Sequence, residues 1–296
     1  TFPGTYQIIS GDVSGIFKVW DSRTMTLVQT FSIPTNNNKK ANCFCVTSVS
    51  KKRVIIGSDQ LFYYDYEESR EGNLADSKSC LLILYNQVFN QFVSAHNDSV
   101  KIWDASTGSL KKVFRNLSPN EISFISFDER KRKLFIGDVE GELRLINILN
   151  GVEMKHFTPH KDYISSMAYY MEGKRFISGG WDGSVQIHDD NTADEKGQLL
   201  SVLNSPQTRF NSCNSIDLSD KLKLLASGFD SGNVMLNNMN SLASEGNLFG
   251  HKKIRQVLFM KHLPSLIVCD DAGMIYFWTF VPLKPKRNER EEFMVG

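Results

Sequence analysis

Phe176 to Asp189 reads FISGGWDGSVQIHD, Ile8 to Asp21 reads IISGDVSGIFKVWD, and Phe92 to Asp104 reads FVSAHNDSVKIWD. Each is an apolar run, a tight turn rich in Gly, Asp, Asn or Ser, and a second run in which apolar and polar residues alternate. Alternation with a period of two is the mark of a strand with one packed face. Weaker copies are Leu134 to Asn147 (LFIGDVEGELRLIN), Leu224 to Asn238 (LLASGFDSGNVMLNN), Leu266 to Thr279 (LIVCDDAGMIYFWT) and Val54 to Asp65 (VIIGSDQLFYYD). Their turns fall at Gly15, Asp59, Asp98, Gly141, Gly183, Gly232 and Gly273, about 43 residues apart. A repeat of roughly 40–45 residues built from short strands points to a ring of four-stranded sheets. A further apolar stretch precedes every hairpin but the first, such as Ile122 to Phe127 and Ile164 to Tyr170, and supplies an innermost strand. No segment carries a sustained helical period, so the fold expected is all-β.

The 296 residues carry 34 Lys+Arg against 33 Asp+Glu, a net charge of +1. That balance lacks the broad positive field on which sequence-independent nucleic-acid binding depends. The longest wholly apolar run, Cys80 to Tyr85, falls far short of the roughly 20 residues of a membrane-spanning helix. The five cysteines (Cys43, Cys45, Cys80, Cys213 and Cys269) form no CxxC pair. Reduced, partly buried thiols and a cytoplasmic setting are therefore expected.

These residues resemble the WD-repeat β-propeller family over nearly the whole chain, which implies a seven-bladed ring. In that family a blade is often tied by a His, a Ser or Thr, an Asp and a Trp. His160, Ser178 and Asp182 match that set, with His188 standing where the Trp belongs. His251 and Trp278 match in the last blade, while Trp20 with Ser10 and Trp103 with Ser94 match without the His. Residues 1–283 are read as the propeller, with a first blade short of its inner strand. Residues 284–296 (KPKRNEREEFMVG) are read as a charged linker. The whole is expected to be one propeller of a longer protein.

The chain nominates no catalytic residue, cofactor or metal site. The glycines Gly179, Gly180 and Gly183 belong to a hairpin turn and not to a phosphate cradle. His156 and His160 are four apart, but Pro159 between them removes the helix that would bring both onto one metal. The acids Asp138, Glu140, Glu142, Asp270 and Asp271 lack the spacing of a calcium loop.

Function is instead expected on the two rims. The turns between first and second strands hold Lys51, Lys52, Arg53, Arg130, Lys131, Arg132, Lys133, Lys174 and Arg175, a candidate basic docking rim for an acidic protein surface. The hairpin turns hold Asp12, Asp59, Asp98, Asp138, Asp182, Asp230 and Asp270 and look acidic. Trp181, at a hairpin tip, is the candidate aromatic anchor. Tyr63, Tyr64 and Tyr66 are further aromatic candidates.

SDQLFYYDYEE (Ser58 to Glu68), YNQVFNQFVSAHNDSVKIWDASTG (Tyr85 to Gly108) and EISFISFDERKRKLFIGDVEGELRLINILNG (Glu121 to Gly151) are similar to ciliary and flagellar WD-repeat proteins with EF-hands elsewhere in the chain. That resemblance implies a non-catalytic scaffold of the ciliary axoneme, with tubulin, dynein-associated or other axonemal subunits as partners. The alternative is a general WD-repeat scaffold of a soluble complex, in ubiquitin ligation or trafficking.

Overall fold

The computed structural model describes residues 6–12, 14–32, 43–48, 53–58, 60–65, 68, 70–74, 76, 78–191, 195–204 and 211–280. Lys51, Lys52, Asp59, Tyr66 and the segment 284–296 lie outside the described residues. The described residues form 26 strands and no helix. The strands make seven antiparallel sheets, the blades of a seven-bladed β-propeller.

Blades two to six each hold four strands in simple meander order. The innermost strands run from Cys43–Ser48 in blade two through Leu82–Asn86, Ile122–Phe127, Ile164–Tyr170 and Cys213–Ser219 to Ile254–Phe259 in blade seven. Among the described residues, blades one and seven have three strands each. Blade one begins at the second strand position, Gln7–Gly11, and blade seven stops at the third, Ile275–Thr279.

The alternation seen in the sequence becomes packing between blades. Seven clusters of buried side chains occupy the seven interfaces. Val93, Val100, Ile102, Ile125 and Ile136 fill the one between blades three and four. Phe135, Phe157, Ile164 and Phe176 fill the next, where the Phe135 and Phe176 rings stack 3.9 Å apart. The interface between blades seven and one is the thinnest, with Ile8, Met260 and Ile267 alone fully buried there.

The repeated hairpin glycine has a backbone reason. Gly183 sits at φ 79°, and Gly15, Gly141, Gly232 and Gly273 occupy the same left-handed position in their own blades. The preceding aspartate folds back on its turn: Asp12, Asp138, Asp182 and Asp270 each accept backbone amides from residues two to four positions on. The turns on the other rim use lysine at positive φ, in Lys131, Lys174 and Lys223.

Candidate functional site

The blade-tying residues assemble in two versions. In blade five His160 is fully enclosed. Its Nδ1 lies 3.2 Å from both oxygens of Asp182, and its Nε2 lies 2.9 Å from Ser178 Oγ. Burial works to raise the Asp182 pKa, but His160 and the amides of Lys161 and Ser184 outweigh it and hold the carboxyl well below the usual carboxylate range. His188, in the tryptophan position, is completely buried between Phe157 and Phe176. Neither of its ring nitrogens has a hydrogen-bond partner among the described residues. Burial, helped by His160, pushes its pKa down to about 3.

Blade three solves the same problem with His and Asp exchanged. Trp103 Nε1 donates to Ser94 Oγ at 2.9 Å, and Ser94 Oγ lies 3.0 Å from His96 Nε2. His96 comes from the end of the second strand, where blade five has Gly180, two residues before the aspartate of its turn. Asp76 arrives from the loop that delivers histidine in blade five. Its carboxylate lies 3.3 Å from His96 Nε2 and accepts Lys101 Nζ at 2.7 Å. Burial lowers the His96 pKa, so the ring is neutral and donates Nδ1–H to the Ser79 carbonyl at 2.7 Å. Trp103 with Ser94 therefore has its histidine after all, which sequence matching misses because the partner sits in an unexpected strand. Trp20 Nε1 donates to Ser10 Oγ at 2.9 Å. In blade seven Trp278 Nε1 donates to His251 Nε2 at 3.2 Å, and among the described residues no outer strand covers Trp278, which is 36% exposed.

Each sheet is a meander, so the turns after the first and third strands share one rim, and the hairpin turns share the other with the inter-blade loops. This placement mixes the charges that the sequence reading separates. On the first rim Arg53 is held by both oxygens of Asp65 at 2.6 and 2.7 Å and lies over the Tyr63 ring. Lys223 pairs with Glu172, Arg175 donates to the Met239 carbonyl, and Lys174 Nζ lies 3.3 Å from Asn191 Oδ1. Arg130 and Arg132 are exposed, and Lys133 is half-buried. Lys131 faces Lys261, and burial together with that neighbouring charge lowers its pKa. On the hairpin rim Lys78 pairs with Asp98 at 2.6 Å and Lys253 with Asp230 at 2.9 Å, so that rim is not simply acidic.

The candidate anchor stands out from this mixed background. Trp181 is 47% exposed and stacks on Tyr163, ring centroids 4.4 Å apart at 27°. Its carbonyl accepts Ser212 Oγ from the next blade, which fixes the hairpin tip that carries it. Tyr163 was not singled out by sequence; its place in the loop before an inner strand is the signal that pairs it with a hairpin tip. Tyr64 is buried in the core and Tyr63 is half-buried against Arg53. His156 lies against Glu142 at 2.8 Å while His160 faces Asp182 and Ser178, so the two histidines serve different partners.

Residues 151–189 match the family model of the WD domain, G-beta repeat. The chain is 25% identical over 285 residues to Cilia- and flagella-associated protein 337 B of Tetrahymena thermophila, covering 95% of this chain and 22% of that protein. It is 23% identical over 212 residues to the WD repeat-containing protein on Y chromosome of Drosophila grimshawi, 66% of this chain and 18% of that protein. The Drosophila ananassae protein of the same name gives the same identity. The chain thus spans about a fifth of the length of these relatives.

Proposed function

We propose that this WD-repeat β-propeller is a non-catalytic scaffold of the ciliary axoneme, holding protein partners through its rims in support of ciliary motility. The observation that carries the reading is the extent of the ciliary match: the 25% identity runs over 95% of the chain, so it covers the ring as a whole and not one generic repeat. The geometry is compatible with a docking role. A fixed aromatic stack, Trp181 on Tyr163, offers a contact anchor on one rim. The cations Arg130, Lys131 and Arg132 lie together in one turn of the other, where charge would set orientation and on-rate. Candidate partners are tubulin and dynein-associated or other axonemal subunits.

Cross-linking mass spectrometry on demembranated axonemes with a lysine-reactive linker tests this. Links from Lys131, Lys133 or Lys174 to axonemal subunits are expected. Recovery solely in the soluble fraction, linked to non-axonemal proteins, would assign the ring to the general scaffold of a soluble complex instead.

A further inference from the structure

Two thiols from neighbouring blades meet at the interface of blades two and three. Cys43 begins the inner strand of blade two, and Cys80 lies just before the inner strand of blade three, Leu82–Asn86. Their Sγ atoms are 3.8 Å apart. Backbone pairing holds each in place. Cys43 is the ladder partner of Gly57, and Cys80 N donates to the Ser58 carbonyl at 2.9 Å. Cys80 is fully buried, whereas Cys43 is partly open.

The glycine beside them makes the room. A Cβ at Gly57 would stand 2.5 Å from Cys43 Sγ and 2.9 Å from Cys80 Cβ. Gly57 does not have a positive φ, so its missing side chain supplies space and not backbone freedom. Gly137, Gly179 and Gly228 hold the same ladder position in blades four, five and six. There the space is taken by Ile164 and Met167, by Cys213 and Ile216, and by Ile254 and Val257. Of the four glycines, Gly57 alone faces two sulfurs. Around the pair Ile55, Leu61, Ile83, Phe92 and Trp103 form an apolar wall. A lone cysteine in such surroundings is a small apolar side chain, but a facing pair has a reaction open to it.

We propose that Cys43 and Cys80 form a redox modification site, at which a hydroperoxide converts the two thiols to a disulfide that staples blade two to blade three. Cys43, the more open thiol, meets the oxidant. Its sulfur takes the terminal oxygen of the peroxide, the O–O bond breaks, and the thiol proton leaves with the other oxygen as water or an alcohol. Cys80 then attacks the Cys43 sulfenic acid. The S–S bond forms, the S–O bond breaks, and the departing hydroxide takes the Cys80 proton to become water. The two sulfurs lose two electrons and the peroxide gains them. Contact with Cys43, together with burial, pushes the Cys80 pKa up, so Cys80 keeps its proton until the step that uses it. Bonding draws the sulfurs from 3.8 Å to about 2.05 Å, a movement for which Gly57 leaves space. A small-molecule thiol reverses the reaction by exchange. The inference concerns thiol chemistry between two blades and does not depend on the axonemal reading.

The test uses the full-length protein, oxidised with hydrogen peroxide, alkylated in denaturant and mapped by mass spectrometry without reduction. A peptide joining Cys43 to Cys80 is expected, and dithiothreitol should separate it. In Cys80→Ser the sulfenic acid has no closing partner, so dimedone should trap about ten-fold more Cys43 than in the unchanged protein. In Cys43→Ser, Cys80 should survive the same treatment as a free thiol. Recovery of both thiols alkylated, once the exposed Met171 has become sulfoxide, would overturn the proposal. A link that forms only after unfolding in urea would overturn it equally. The staple has its own readout, because a cross-link constrains the unfolded chain. The linked protein should open the buried Cys213 to alkylation at a higher urea concentration than the reduced protein, and equal midpoints would overturn the staple.

Discussion

Blades three and five tie themselves with the same kinds of side chain, placed differently, and differ most at the residue that faces the buried serine from the third strand. In blade three Trp103 reaches Ser94, and the chain of bonds continues through His96 to the Ser79 carbonyl. In blade five the bonds from Asp182 through His160 to Ser178 are complete, but the residue that should cap them is His188, whose shorter ring ends among Phe157 and Phe176 without a partner. A buried polar group with no partner is costly, whereas a bonded one contributes about 1 kcal/mol. Blade five therefore keeps its place by stacked aromatic rings, while blade three relies on an indole and a buried ion pair.

Truncation should break blade three. Trp103→Ala removes a fully buried ring and the first donor of its network, and is expected to lower unfolding free energy by about 3–5 kcal/mol in urea titration. A loss under about 1 kcal/mol would mean that Trp103 does not pack as described. Asp76→Ala leaves Lys101 without its carboxylate beside a neutral His96, and a loss of about 3 kcal/mol is expected. Asp76→Asn should recover little, because the amide cannot balance the Lys101 charge.

Acid should sharpen the contrast from the other side. His188 titrates near 3 when folded and near 6.5 when unfolded, so below pH 6.5 the unfolded chain binds the proton that the native ring refuses. Stability from this group is complete above pH 6.5 and is lost as pH falls toward 3. Between pH 6.5 and 4.5 the loss is about 2–3 kcal/mol. His188→Phe should remove that part of the pH dependence and change stability little at pH 7, a comparison read from urea midpoints at several pH values. An unchanged pH profile in the variant would show that His188 takes up its proton at the same pH in the native and unfolded chains.

The smallest effect belongs to the turn of blade four, which lies between the two networks and joins neither. Reversing charge at Lys131 and Lys133 should alter stability by no more than about 0.5 kcal/mol and weaken partner binding. Unchanged binding would remove the basic rim from the docking surface.

The fold was open to sequence reading because hairpin glycines and alternating strands are local signals, and the repeat multiplies each of them. The inner strand Ile122–Phe127 was placed to the residue on that basis. The Asp76, His96 and Lys101 network was not, since it joins a loop to two strands and exchanges the places of His and Asp. The rims were legible only in part. Counting one set of turns gave a basic face, but Arg53 is folded onto Asp65 from the next turn of its own blade, and Lys253 reaches across to Asp230. Such pairings depend on which turns share a rim, which the strand order fixes and composition does not.

The unequal tryptophans give the protein a built-in optical division of labour. Trp103, sealed from water, should emit at short wavelength and resist acrylamide until the ring unfolds, whereas Trp181 is open to quencher. A partner that covers the Trp181 and Tyr163 stack would shield the red edge of the emission and leave the blue edge untouched; denaturation would shift both.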